Sequence, residues 1–157
     1  MKQILLILAV VMGQSVLEAD KKPLTKEESA KVIEAAIRKQ LKKPTGELTK
    51  ADLEKVTRLL IENKRLTDVP KGLEKLTQLE VLNLFNNKLT DVKGLEKLTK
   101  LKALNLPTNQ LTDMKGLEKL TQLEYLNLID NPDLTKAQID QLKKALPKCE
   151  IYSNPTK

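Results

Sequence analysis

Three stretches of this chain repeat almost word for word. Residues 66–88 read LTDVPKGLEKLTQLEVLNLFNNK, residues 89–110 read LTDVKGLEKLTKLKALNLPTNQ, and residues 111–132 read LTDMKGLEKLTQLEYLNLIDNP. From Leu89 to Leu111 the step is 22 residues; from Leu66 to Leu89 it is 23, the extra residue being Pro70. A period of this length marks one supersecondary unit that cannot bury its apolar side alone, so the units must stack. The leucines obey one rule in every copy. Leu76, Leu79, Leu82 and Leu84 precede Asn87; Leu98, Leu101, Leu104 and Leu106 precede Asn109; Leu120, Leu123, Leu126 and Leu128 precede Asn131. The closing L-x-L alternates with period two, which predicts a short strand with both leucines facing inward.

A fourth, degenerate copy lies upstream in the same frame. Leu53, Val56, Leu59 and Ile61 take the leucine positions, while Lys64 stands in the Asn slot with Asn63 one residue early. Each full repeat offers about seven inward aliphatic side chains, and burying each contributes on the order of 1.5–3 kcal/mol. The Asn column needs a different account. A buried amide must find partners for its donors and its acceptor.

The pattern L-x-x-L-x-L-x-x-N over residues 53–132 resembles the bacterial leucine-rich-repeat family, and the 22-residue copy resembles its internalin-type version. The resemblance implies an α/β solenoid, a short right-handed superhelix with parallel strands on its concave side and helical caps at both ends. It also implies that Asn87, Asn109 and Asn131 form a structural ladder bonded to the backbone of adjacent coils, and that ligands are bound without catalysis. It names no particular partner.

Open solenoid ends expose apolar faces and call for caps. Thr25 with Glu28 has capping-box spacing, followed by Val32, Ile33, Ala36, Ile37 and Leu41 at helical spacing, with Pro44 and Gly46 as stops. Thr49 with Asp52 opens a shorter turn. Thr135 and Gln138 start a second helix with Ile139, Leu142, Ala145 and Leu146 on its apolar side, ended by Pro147, after which Cys149, Ile151 and Tyr152 cover the last coil. The predicted division is therefore a signal peptide at 1–19, an N-terminal helical cap at 20–52, about four repeats at 53–132 and a C-terminal cap at 133–157.

The signal peptide is read from Lys2, an unbroken apolar run at 4–12, and the small residues Gly13, Ser15 and Ala19, with cleavage placed after Ala19. That run is too short for a bilayer, which needs roughly 20 residues. The chain is expected to be exported (secreted, periplasmic or cell-surface associated), with no membrane span after cleavage. Export would place Cys149 in an oxidising setting as a buried core thiol or, alternatively, in an intermolecular disulfide.

Composition removes most catalytic chemistry. Histidine is absent and cysteine occurs once, so neither a His-based acid–base pair nor a zinc site of about four ligands has its residues. No catalytic residue, metal or cofactor is expected. The formal charge is +7, and the repeats at 66–132 are neutral, with 9 basic and 9 acidic residues. Residues 20–65 carry 13 basic against 8 acidic. No aromatic-studded basic stripe accompanies that excess, so no nucleic acid is expected.

The repeats differ from one another mainly between the strand leucines. KGLEKLT recurs at 71–77, 93–99 and 115–121, whereas the outward strand positions vary. They give the candidate partner-binding residues Arg58, Val81, Asn83, Phe85, Asn105, Pro107, Tyr125, Asn127 and Ile129. Phe85, Pro107 and Ile129 are expected to stack as an exposed apolar ridge flanked by Val81 and Tyr125, and such patches often mark interaction sites. Asn83, Asn105 and Asn127 have two readings, bonding a partner or bonding along the sheet. The leading function is a non-catalytic protein–protein interaction module acting through this face. The alternative is an electrostatic binder of an anionic cell-envelope polymer through the basic caps at Arg38, Lys39, Lys42 and Lys43. A duplicated scaffold without a dedicated ligand is the third reading.

Overall fold

The computed structural model describes residues 22–154; the expected signal peptide lies outside the described residues. Helix α1 spans Lys26–Leu41. Its first turn is closed by a reciprocal capping box, in which the Glu28 N–H donates to Thr25 Oγ1 at 3.2 Å and the Thr25 N–H to Glu28 Oε2 at 2.7 Å. It stops at Lys42, which adopts the left-handed region at φ 52° and returns its N–H to the last turn, two residues before Pro44 would forbid continuation. A single turn, α2 (Lys50–Leu53), carries the second capping box, Thr49 with Asp52.

From there the chain coils. Strands β1 (Arg58–Leu60), β2 (Val81–Asn83), β3 (Ala103–Asn105), β4 (Tyr125–Asn127) and β5 (Glu150–Tyr152) form one parallel sheet in sequence order. The register is the repeat itself: Leu59, Leu82, Leu104, Leu126 and Ile151 lie side by side. On the opposite side each full coil turns through a short 3₁₀ segment, at Leu73–Lys75, Leu95–Lys97 and Leu117–Lys119. Each is entered by a glycine near φ 100°, a conformation closed to most other residues. At Gly116 a side chain would also meet Cβ of Glu96 at 3.2 Å, so the coils approach closely there. The core between the two sides is a column of buried leucines, joined by Val56, Ile61, Val92 and Met114, that runs from Val56 to Leu128. Ile33 and Ile37 of α1 close it at one end.

The other end departs from the expected plan. Helix α3 (Lys136–Ala145) forms as its capping box Thr135–Gln138 foretells, and Ile139, Leu142 and Leu146 are buried, but Ala145 is exposed. Residues 150–152, expected only to cover the last coil, continue the sheet as β5. The physical reason is that β4 has a row of backbone groups still to satisfy. Glu150 N–H donates to Glu124 O at 2.8 Å, and Leu128 N–H to Tyr152 O at 2.8 Å. Helix α3 thus takes the place of a 3₁₀ segment in a fifth, irregular coil. Among the described residues no helix is long and apolar enough to cross a membrane.

Candidate functional site

Parallel in-register pairing stacks equivalent side chains from every coil about 4.8 Å apart. One outward row is Arg58, Val81, Ala103, Tyr125 and Glu150, and the next is Leu60, Asn83, Asn105, Asn127 and Tyr152. Backbone bonds carry the register past the strands: the N–H groups of Asn63, Asn86 and Thr108 donate to the carbonyls of Phe85, Pro107 and Ile129 at 3.1, 3.1 and 2.9 Å. Glu62, Phe85, Pro107 and Ile129 therefore make a third row. All nine candidate partner-binding residues lie on this one face.

The apolar ridge is only partly as expected. Phe85 is exposed, at 38%, whereas Pro107, Ile129, Val81 and Tyr125 are half-buried. In-register neighbours on both sides shade these four, and Phe85, flanked by Glu62 and Pro107, is shaded less. The same rule exposes residues at the ends of the sheet. Leu60 in β1 and Tyr152 in β5 are 46% and 45% exposed, and neither was among the candidates. With Phe85 they are the exposed large hydrophobic residues among the described ones, and all three lie on this face. Leu60 was legible as the outward residue of an apolar triplet, Leu59-Leu60-Ile61; Tyr152 was not, because its strand was not expected. The ring of Tyr152 packs against that of Tyr125, with centroids 5.3 Å apart and planes tilted by 38°.

The asparagine row divides. Asn83 Oδ1 accepts from the Phe85 N–H at 2.9 Å and its Nδ2 donates to Glu62 at 2.7 Å. Asn127 Oδ1 accepts from the Ile129 N–H at 3.0 Å. The third equivalent bond cannot form, because the residue two beyond Asn105 is Pro107, which has no N–H. The amide at the centre of the face makes no side-chain hydrogen bond within the described residues.

The face is acidic although the chain is basic. Glu62, Glu80, Glu124, Asp130 and Glu150 stand on it or at its rim against Arg58 and Lys102. Lys102 is already engaged with Glu80 at 3.1 Å. Glu150 accepts from the Tyr152 hydroxyl at 3.1 Å, which raises the phenol's pKa through that bond and the adjacent negative charge. The basic N-terminal cluster is partly spent inside the cap: Arg38 pairs with Glu34 at 2.7 Å and Lys43 with Asp52 at 2.7 Å. Lys39 and Lys42 remain exposed.

At the carboxyl ends of the strands the other asparagine column is buried and bridges the coils. Asn109 Nδ2 donates to Leu84 O at 3.1 Å and Leu106 O at 3.0 Å, while its Oδ1 accepts from the Leu89 N–H at 3.1 Å. Asn131 repeats the arrangement with Leu106, Leu128 and Leu111. Asn87 accepts from two N–H groups, of Lys64 and Leu66, in the first coil.

A family model described as Leucine Rich repeats (2 copies) matches residues 54–97 and again 77–119. The chain is a leucine-rich-repeat protein. Its repeats are similar to those of an internalin from Listeria monocytogenes, at 26% identity and a TM-score of 0.66 over 80% of this chain and 42% of that one. A leucine-rich-repeat protein from Leptospira interrogans is similar at 36% identity and 0.58 over 68% of this chain and 28% of its own. Internalin C2 from Listeria monocytogenes, at 24% identity and 0.67 over 80% and 56%, shares the fold. This leucine-rich-repeat chain spans less than two thirds of the length of each of these structures. No curated protein sequence matches it.

Proposed function

We propose that the chain is an exported, non-catalytic protein–protein interaction module that takes its partner on the concave strand face. The observation that carries this reading is the shared location of Leu60, Phe85 and Tyr152, the large hydrophobic side chains left in water among the described residues. Solvated apolar groups that share one rigid face are what a partner covers at a gain of about 25 cal/mol per Å². The unbonded Asn105 amide at the centre offers both donors and an acceptor to a polypeptide backbone. The acidic surround selects a partner with basic groups beside its apolar ones. Export is supported by the charged, apolar and small-residue order of residues 1–19.

Size bounds the affinity. Five strands at about 4.8 Å span roughly 24 Å, and three outward rows cover about 10 Å, which together give a few hundred Å². A standard interface takes roughly 800 Å² per partner, so binding through this face alone is modest unless the partner also engages the flanks.

The test is capture from the native envelope fraction with immobilised wild type and with Leu60→Ala/Phe85→Ala/Tyr152→Ala. Such surface changes alter stability by about 0.5 kcal/mol or less each, so folding is held constant. A protein retained by wild type and lost by the triple variant supports the reading. Equal recovery by both refutes it, as does capture that disappears with Lys39→Ala/Lys42→Ala and moderate salt instead, the signature of an anionic polymer.

A further inference from the structure

A second surface lies beside the concave face, where the coils leave their strands. A groove of about 510 Å³ runs there across the first three coils, and its lining is wholly polar. Asn63, Asn86 and Thr108 line it together with Arg65, Lys88 and Gln110, and the ladder residues Asn87 and Asn109 complete the lining. No carboxylate lines it, and no ion pair forms with Arg65 or Lys88 among the described residues, although Glu28 lies near enough to Arg65 to feel its charge.

Of the six non-glycine residues at positive φ among the described residues, four line the same groove, the others being Lys42 and Asp130. Asn63, Arg65, Asn86 and Thr108 all have φ between 50° and 57°. Asparagine tolerates that region, but for arginine and above all for β-branched threonine it is an outlier that costs stability. Asp130 holds the equivalent place in the next coil, so the fold accepts the cheaper residue there. Strain retained where a cheaper residue fits is found at ligand sites. Here it holds the Thr108 hydroxyl in the lining of a groove that also carries the Arg65 guanidinium.

We propose that this groove binds an acidic oligosaccharide, with Arg65 and Lys88 on its carboxylate or phosphate and the amides and hydroxyl on its sugar hydroxyls. Successive coils present one polar side chain about every 4.8 Å, close to the length of one sugar ring. The Asn86 amide already reaches Asn63 Oδ1 at 2.6 Å, so the row is pre-ordered while its outer lone pairs and protons stay open to a ligand. No aromatic side chain lines the groove, which removes the stacking platform that a single-stranded nucleic acid needs. The site is independent of the proposed protein-binding face, so either can fail without the other.

Calorimetric titration of the full chain with three probes tests it: a galacturonic-acid oligomer, a phosphorylated mannose oligomer, and a neutral galactose oligomer of equal length. At least one acidic probe binds and the neutral one does not; which acidic probe binds identifies the anion. Arg65→Asn/Lys88→Gln removes both charges in residues suited to their backbone, and weakens binding by about tenfold or more, as loss of charge-assisted bonds does. Thr108→Val keeps the branch, removes the hydroxyl and weakens binding several-fold, which guards against a folding defect in the double variant. Phe85→Ala leaves the titration unchanged. The proposal is overturned if neither acidic probe binds, if the neutral probe binds equally, if a polyglutamate of matched charge competes equally, or if the double variant binds like wild type.

Discussion

Replacing Asn109 by alanine tests whether the buried amides hold the coils together, and its size follows from counting what each lost bond leaves behind. Asn109 is 4% exposed, so water cannot replace it without opening the coil. Its four bonds are unequal, the longest being the donation to Pro107 O at 3.3 Å, a carbonyl that also accepts from the Asn86 N–H at 3.1 Å. Leu84 O also receives a proton from Asn87 Nδ2 at 3.0 Å, and Leu106 O one from Asn131 Nδ2 at 3.0 Å. Both carbonyls therefore keep a partner. The Leu89 N–H has Asn109 alone, and orphaning a buried donor costs about 1–3 kcal/mol. Adding about 0.5–1 kcal/mol for the three weakened carbonyl bonds gives a loss of roughly 1.5–4 kcal/mol. At about 4 °C per kcal/mol for a chain of this size, the thermal midpoint falls by roughly 6–16 °C. The control is Asn105→Ala, which removes an amide of the same kind with no intramolecular bond and is expected within about 0.5 kcal/mol of wild type. Urea melts of both variants, compared at equal slope, measure the difference. Equal midpoints, or a larger drop for Asn105→Ala, would refute the reasoning.

Two further expectations concern titration. The Asp52 carboxylate is held well below the usual range by the Lys43 ammonium and by the Thr49 N–H and hydroxyl. A lowered acid contributes stability above its unfolded pKa and loses it as pH falls through the folded value. Asp52→Asn should therefore lower the midpoint at neutral pH and flatten its decline below about pH 4, and parallel curves for the two proteins would contradict this. Burial, with help from the Glu150 charge, pushes the Cys149 thiol up to about 11. Relative to an ordinary thiol this leaves about a hundredfold less thiolate at pH 8. Iodoacetamide labelling of the folded chain should be slower in proportion than in urea, and equal rates would show that the thiol is not shielded.

The coil architecture was legible because one period sets it many times over: each leucine recurs at the same place in three full copies, so no single residue decides the fold. The asparagine column was legible for the same reason, and its role as a ladder bonded to adjacent coils followed from the family resemblance. What escaped lay where the frame stops. Tyr152 belongs to a coil whose outer side is the helix Lys136–Ala145, so no 22-residue match announces its strand, and only the unpaired edge of β4 recruits it. Pro107 and Ile129 were expected in water beside Phe85, but exposure within a stack depends on both neighbours, and the sequence of one coil carries no record of its neighbours' bulk.

The third coil is where the repeat relaxes its own rules, and the two proposed surfaces meet there. A proline at position 107 removes the N–H that ties down the preceding asparagine in the coils on either side, so Asn105 is left free at the centre of the strand face. The next residue, Thr108, then turns the chain through a conformation that asparagine and aspartate occupy elsewhere. Neither substitution helps the solenoid: one forfeits a hydrogen bond and the other stores strain. Drift would scatter such losses over the turns and the 3₁₀ segments alike, yet KGLEKLT stays unchanged in three copies. The departures fall side by side instead, one facing the protein-binding surface and one facing the polar groove. Restoring the rule with Pro107→Phe/Thr108→Asn should raise the thermal midpoint while weakening both partner capture and saccharide titration. A variant that gained stability and lost neither binding would reduce the third coil to neutral variation.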